Sequence, residues 1–179
     1  MRSFSKTLAL PPPDNDIRRE YRQLVLEIDL CVQDLTTGRL AGFCKCRPGC
    51  SACCMAFSVL PLEAALLAEA LVGQAESSGQ QDERCIFLRD DLCSLYAWRS
   101  VICRTQGMAL AYIDEATQTI EVSACPHNFP DDVALEHDDL LFMDPFNERL
   151  ADLNLRYCRQ NSLVPEHRFA LADLFSWQA

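Results

Sequence analysis

The segment CKCRPGCSACC, residues 44–54, places five cysteines in eleven positions and ends on an adjacent pair. Cys46, Cys50, Cys53 and Cys54 form the pattern C-x-x-x-C-x-x-C-C, and Cys44 stands just outside it. Pro48 presets the first dihedral of a tight turn and Gly49 accepts a positive φ, so the loop can fold back and aim successive thiols into one space. Ser51 and Ala52 are small enough to leave backbone N–H groups free to hydrogen-bond sulfur. Neighbouring side chains diverge along a strand or helix, so Cys53 and Cys54 are expected to face different sites or different atoms of one cluster.

Whether these thiols are disulfide halves, nucleophiles or ligands depends on the rest of the chain. The start, MRSFSKTLALPPP, has too short an apolar run for a signal-peptide core, and no window approaches the roughly 18 apolar residues that span a bilayer. The chain therefore reads as cytoplasmic, with no membrane partner. There thiols stay reduced, and dense cysteine patterns favour metal or redox chemistry over a disulfide framework. The total of 11 cysteines is also odd. A C-x-x-C dithiol of the thioredoxin type predicts a βαβ context that the flanking loop does not supply. No histidine or acid stands at a spacing that makes a cysteine nucleophile.

A second set of thiols follows: Cys85, Cys93 and Cys103 in CIFLRDDLCSLYAWRSVICR, and Cys125 in ACPHNF. Four plus four thiols suffice for two tetrahedral sites, or for one cluster with a separate mononuclear metal. His127 could substitute as a ligand, though a surface histidine is the simpler reading. Cys31 and Cys158 lie on apolar helical stripes and are expected in the core, where free cysteine behaves as a small hydrophobe.

These residues carry a family resemblance. CRPGCSACC followed by FLRDDLCSLYAWRSVICR resembles the CxxCxxCC cysteine-cluster family, a zinc- or iron-chelating domain. Cys46, Cys50, Cys53, Cys54, Cys85, Cys93, Tyr96, Arg99, Cys103 and Arg104 fall on its motif positions, and Ser100 stands where the family usually has Pro. The resemblance implies metal chelation and no particular reaction; whether the chain is an enzyme stays open. The expected ligand set is Cys46, Cys50, Cys53, Cys54, Cys85, Cys93, Cys103 and Cys125.

Thiolates select zinc, copper(I) and iron–sulfur clusters over hard cations. Only Cys50 and Cys53 make a zinc-type knuckle, whereas C-x-x-x-C-x-x-C suits three corners of a 4Fe–4S cluster. An iron–sulfur cluster is therefore expected ahead of zinc. Arg99 and Arg104 are expected beside the cofactor, where guanidinium groups offset thiolate charge. An ion pair with Asp90 or Asp91 is the alternative for both. Tyr96, Trp98 and Trp177 are expected to pack in the core.

The remaining chain reads as one domain. Residues 1–13 form an extension, and residues 14–179 a metal-binding domain with its cysteine core at 44–125. Ile17, Tyr21, Leu24, Ile28, Cys31 and Leu35 recur at steps of four and three, which predicts a helix capped by Asp14 or Asp16 and ending near Gly38. PLEAALLAEALVG predicts a second helix, with Pro61 in its first turn and Gly73 as cap. QAESSGQQDE reads as a surface loop. Two short strands are expected around the RDD turn and a hairpin around 114–117, then helices near 132–142, 145–159 and 165–177. The fold class is α+β: a helix-rich single domain with short β hairpins and irregular cysteine-rich metal-binding loops.

With 16 basic against 26 acidic residues the net charge is −10, which repels nucleic acid. The expected function is a cytoplasmic metal-binding protein with a redox or metal-handling role and a protein or electron-transfer partner. The alternative is a structural zinc module that stabilises a protein-interaction domain without catalysis.

Overall fold

A computed structural model describes residues 10–72, 83–130 and 133–177, the last three by backbone alone. Helix α1 spans Asn15–Thr37, and Asp14 Oδ1 accepts from Ile17 N at 2.8 Å to satisfy one of the helix's orphan donors. Its buried face is Ile17, Tyr21, Leu24 and Ile28, four positions of the predicted stripe. Full burial of side chains such as Leu24 and Ile28 contributes about 1.5–3 kcal/mol each.

Helix α4, Asp144–Asn161, packs on α1, and helix α2, Pro61–Leu71, packs on α4. Bidentate ion pairs edge this three-helix layer. Arg18 holds Glu69 at 2.7 and 2.8 Å, and Arg156 holds Glu20 at 2.6 and 2.8 Å. The start of α2 lacks a side-chain cap of its own. Buried Asn154 of α4 supplies one, accepting from Leu62 N at 3.1 Å.

A small sheet covers the other side of the core. Strands β4, Leu110–Asp114, and β5, Thr119–Ser123, form the predicted hairpin, and β6, Leu141–Phe142, pairs with β4 in parallel. Strands β2, Leu88–Arg89, and β3, Leu92–Cys93, are joined by Asp90 and Asp91, with φ of 48° and 61°. Two positive φ values in a two-residue loop are what a type I′ hairpin demands. Strand β1, Ser58–Val59, pairs with β7, Phe169–Ala170, and so ties the segment after the first cysteine loop to the C-terminal region. The architecture is α+β. Among the described residues, no helix is long and apolar enough to cross a membrane.

Three sequence expectations are corrected. The helix expected near 132–142 is instead a 3-10 turn at His137–Asp139 followed by β6. Asp139 is buried there, accepting from Arg39 Nε at 2.9 Å and from Glu136 N at 2.7 Å. A carboxylate that caps its own turn competes with helix propagation, and Leu141–Phe142 is drawn to the free edge of β4. The helix expected at 165–177 is reduced to β7 and a 3-10 stretch, Leu171–Trp177. Tyr96 and Trp98 are exposed, 64% and 51%, rather than packed. The Gly73 cap, most of QAESSGQQDE and the Trp177 side chain lie outside the described residues.

Candidate metal centre

Three local devices bring the two cysteine sets together. First, residues 54–56 pair with residues 83–85: Cys85 N donates to Cys54 O at 3.1 Å and Ala56 N to Glu83 O at 2.8 Å, around a Met55–Arg84 bridge. Second, Ser51 Oγ donates to Asp91 Oδ1 at 2.6 Å, and Arg84 Nη2 reaches that oxygen at 2.9 Å and Ser51 Oγ as well. Third, Glu63 of α2 is buried and accepts from Val101 N at 2.8 Å and from Tyr21 Oη at 3.1 Å. Val101 opens helix α3, Val101–Thr105, which carries Cys103. The buried Glu63 side chain thus anchors the helix that carries Cys103 to α1 and α2.

The result is one open cavity of about 530 Å³. Cys46, Cys50, Cys53 and Cys54 from the first loop line it, with Cys85, Cys93 and Cys103 from the second set. Cys53 and Cys54 both line this space. Cys85, Cys93 and Cys103 also pack against the apolar cluster of Val59, Leu67, Phe87, Leu95 and Leu171. All the cysteines are free thiols. Among the described residues, no three His, Cys, Asp or Glu side chains stand as a ready-made metal cage.

Burial pushes the Cys46 thiol up to about 11, opposed by a hydrogen bond from Asn128. Burial likewise raises Cys103 to about 11, and raises Cys85. Interaction between the adjacent thiols raises Cys53 and lowers Cys54. A bound cation would stabilise every thiolate it touches and so oppose the upward shifts that burial imposes.

Cys125 lies half-buried outside the cavity wall, where its carbonyl accepts from Asn128 N at 3.0 Å. His127 is exposed and also off the wall. Cys44 leans on the main core, and Cys31 packs partly against it; Cys158 is fully buried in that core. Arg99 lines the cavity, donating to the carbonyls of Tyr96 at 3.1 Å and Cys103 at 3.3 Å and stacking 3.8 Å above the Tyr96 ring. Arg104 turns away. It pairs with Asp29 at 2.7 Å and binds the carbonyls of Arg99 and Ala97, bracing the segment that presents Arg99. Neither arginine pairs with Asp90 or Asp91; Arg84 takes Asp91.

Sequence reasoning missed Asn128 and Gly107, and took Ser51 only as a small residue, without its side-chain bond to Asp91. Asn128 is 2% exposed; its Nδ2 donates to Gly107 O at 2.6 Å and to Cys46 Sγ at 3.3 Å, and its Oδ1 accepts from Lys45 N at 2.7 Å. Gly107 has φ +99°, and a Cβ there would stand 2.7 Å from Cys46 Sγ. Only glycine lets the backbone approach that sulfur. The Ser100 hydroxyl, also buried, has no partner in hydrogen-bond geometry, though it lies near enough to Cys103 to favour its thiolate. These features fit a thiolate-bound metal: soft donors from two segments, an amide N–H aimed at a sulfur, and a backbone kept bare beside it.

No curated protein and no solved structure matches the chain. Residues 45–126 match the model of the CxxCxxCC family, described as "Putative zinc- or iron-chelating domain". That span, a little under half of the chain, takes in both cysteine sets, and over it the chain is similar to that family.

Proposed function

We propose that this protein holds an iron–sulfur cluster, or failing that zinc, through cysteines that line its cavity, and that it serves redox chemistry or metal handling in the cytoplasm. The observation that carries the reading is the convergence of seven cysteines, from loops far apart in sequence, on one cavity. Seven thiols exceed the four that one tetrahedral zinc takes, which favours a larger assembly with the remaining thiols in reserve. Cys46, Cys50, Cys53 and Cys54 would supply one side and Cys85, Cys93 and Cys103 the other. Arg99 would offset their charge. Cys125, outside the cavity, is left out of this set. Bound there, iron and sulfide would supply one-electron transfer; zinc would supply cross-linking alone.

The discriminating measurement is metal content after oxygen-free purification, read together with the visible spectrum. A brown protein whose colour bleaches with dithionite supports the cluster. A colourless protein with stoichiometric zinc overturns it. If neither metal is retained and the first-loop cysteines alkylate freely in the folded protein, both versions fail.

The second reading is a zinc-stabilised interaction module. One observation favours it: Ile113, Ile120 and Val122 are half-exposed on β4 and β5, an apolar face without a cover among the described residues.

A further inference from the structure

The cavity is larger and more apolar than thiol ligation requires. Its 530 Å³ falls within the roughly 300–1,000 Å³ of small-molecule sites. A metal ion sits about 2.3 Å from each ligating sulfur, among the thiols, and makes no use of a carbon wall. Such a wall exists: Leu67, Phe87, Leu95 and Leu171 line the same cavity and are buried. At the rim, Met55, Leu92 and Tyr96 are exposed to 47%, 51% and 64%. Exposed apolar side chains gathered at the mouth of a cavity, and not scattered singly, mark a surface kept for a ligand.

Two polar groups face this space with donor capacity to spare. Ser100, 1% exposed, holds a hydroxyl with no partner in hydrogen-bond geometry, a costly arrangement unless a ligand completes it. Arg99 gives Nε and Nη1 to carbonyls and its face to Tyr96, yet among the described residues no carboxylate pairs with it. Asp91, on the same cavity wall, is taken by Arg84, so in a chain of net charge −10 a guanidinium that pairs with no carboxylate among the described residues is available to an outside anion.

We propose that the cavity is also a binding site for a small organic molecule with an apolar body and one anionic head, the body against the leucine and phenylalanine wall and the head at Arg99 and Ser100. The site is shared with the thiols but does not depend on which metal they hold.

The test is a fluorescence titration with two probes that differ in one group, 1-anilinonaphthalene-8-sulfonate and its uncharged analogue N-phenyl-1-naphthylamine. It is run on the protein as purified, with folding checked by near-ultraviolet dichroism and metal measured on the same samples. Saturable one-to-one binding of both is expected, tighter for the sulfonate. Arg99→Gln should weaken the sulfonate by about tenfold, the loss of a charge-assisted hydrogen bond, and leave the neutral probe within about twofold. Should that variant not fold, Arg99→Lys, which keeps the charge, should keep the sulfonate preference. Leu92→Asp, at the exposed rim, should weaken both probes, and Ile120→Asp, on the sheet, should change neither. Absence of saturable binding overturns the proposal, as does loss of binding in Ile120→Asp with retention in Leu92→Asp, or a sulfonate preference indifferent to Arg99. Probe binding by folded protein that retains no metal supports this proposal and sinks the metal reading; retained metal without probe binding does the reverse.

Discussion

Ser51 Oγ donates a 2.6 Å hydrogen bond to Asp91 Oδ1, joining the first cysteine loop to a turn forty residues further along the chain. Ser51 lies between Cys50 and Cys53, and Asp91 two residues before Cys93. Arg84 binds both partners and itself sits beside Cys85. The thiols of two segments are therefore held at a common cavity by side chains that are not ligands. Outer groups of this kind keep ligands near their working positions before a metal arrives.

Asp91→Asn keeps a residue that tolerates positive φ but cannot pair with Arg84. Metal loss to a competing chelator should accelerate by about tenfold, the low end for groups that orient ligands, with the unfolding midpoint unchanged. An unaltered transfer rate would show that the clamp has no part in holding the metal.

Gly107→Ala tests the closest backbone approach at the site. The new Cβ would meet Cys46 Sγ at 2.7 Å on a backbone with φ +99°, a conformation costing about 1–3 kcal/mol for a side-chain-bearing residue. The urea midpoint should fall accordingly, and Cys46 should become more reactive to alkylation as it is displaced. Asn128→Ala should also destabilise by about 1–3 kcal/mol, because Lys45 N and Gly107 O each lose a buried partner. A midpoint unmoved by either change would contradict this packing.

How much of this was legible before the structure differs by element. The α1 stripe and its Asp14 cap could be read because period and cap are local chemistry, and the Asp90–Asp91 turn because two acids followed a short apolar run. The 137–142 segment misled because its leucines and phenylalanine suit a helix as well as a strand, and the open edge of β4 decides between them. Counting thiols suggested two groups of ligands; that they share one cavity depends on the Cys54–Cys85 backbone bond, which no spacing encodes. Asn128 carried no signal at all, and Ser51 only that of a small residue. A buried amide or hydroxyl looks in sequence like any surface polar residue, and only its partners distinguish it.

Glu63 should give the fold a pH dependence. Burial raises its carboxyl above the ordinary 4.5, against hydrogen bonds from Val101 and Tyr21 that favour the carboxylate. A raised folded value means that its stabilising contribution is fully present below about 4.5 and is lost as pH rises through the folded value. Glu63→Gln keeps an acceptor for Val101 N without the ionisation. Wild-type stability relative to this variant should therefore decline as pH rises from 4.5, measured by urea unfolding at each pH. A constant difference across that range would show that Glu63 titrates alike in the folded and unfolded protein, and that its folded value is not raised.

The sharing of one metal assembly by both cysteine sets is decided by removing ligands from only one. Cys93→Ser and Cys103→Ser leave the first loop's sequence intact, so separate sites would keep their metal there and keep Cys50 and Cys53 protected from iodoacetamide. A shared assembly should instead lose metal as a whole, and the first-loop thiols should alkylate at rates near those of the chelated protein. Cys103 is the sharper choice because it rides on α3, which buried Glu63 and Arg104 hold in place independently of metal. Its loss should change metal content more than fold. Cys158→Ala is the matching control: fully buried away from the cavity, it should cost about 1–2 kcal/mol in urea unfolding and leave the metal in place. If Cys158→Ala released metal as readily as Cys103→Ser, the loss would reflect destabilisation, and the seven-thiol cavity would no longer account for binding.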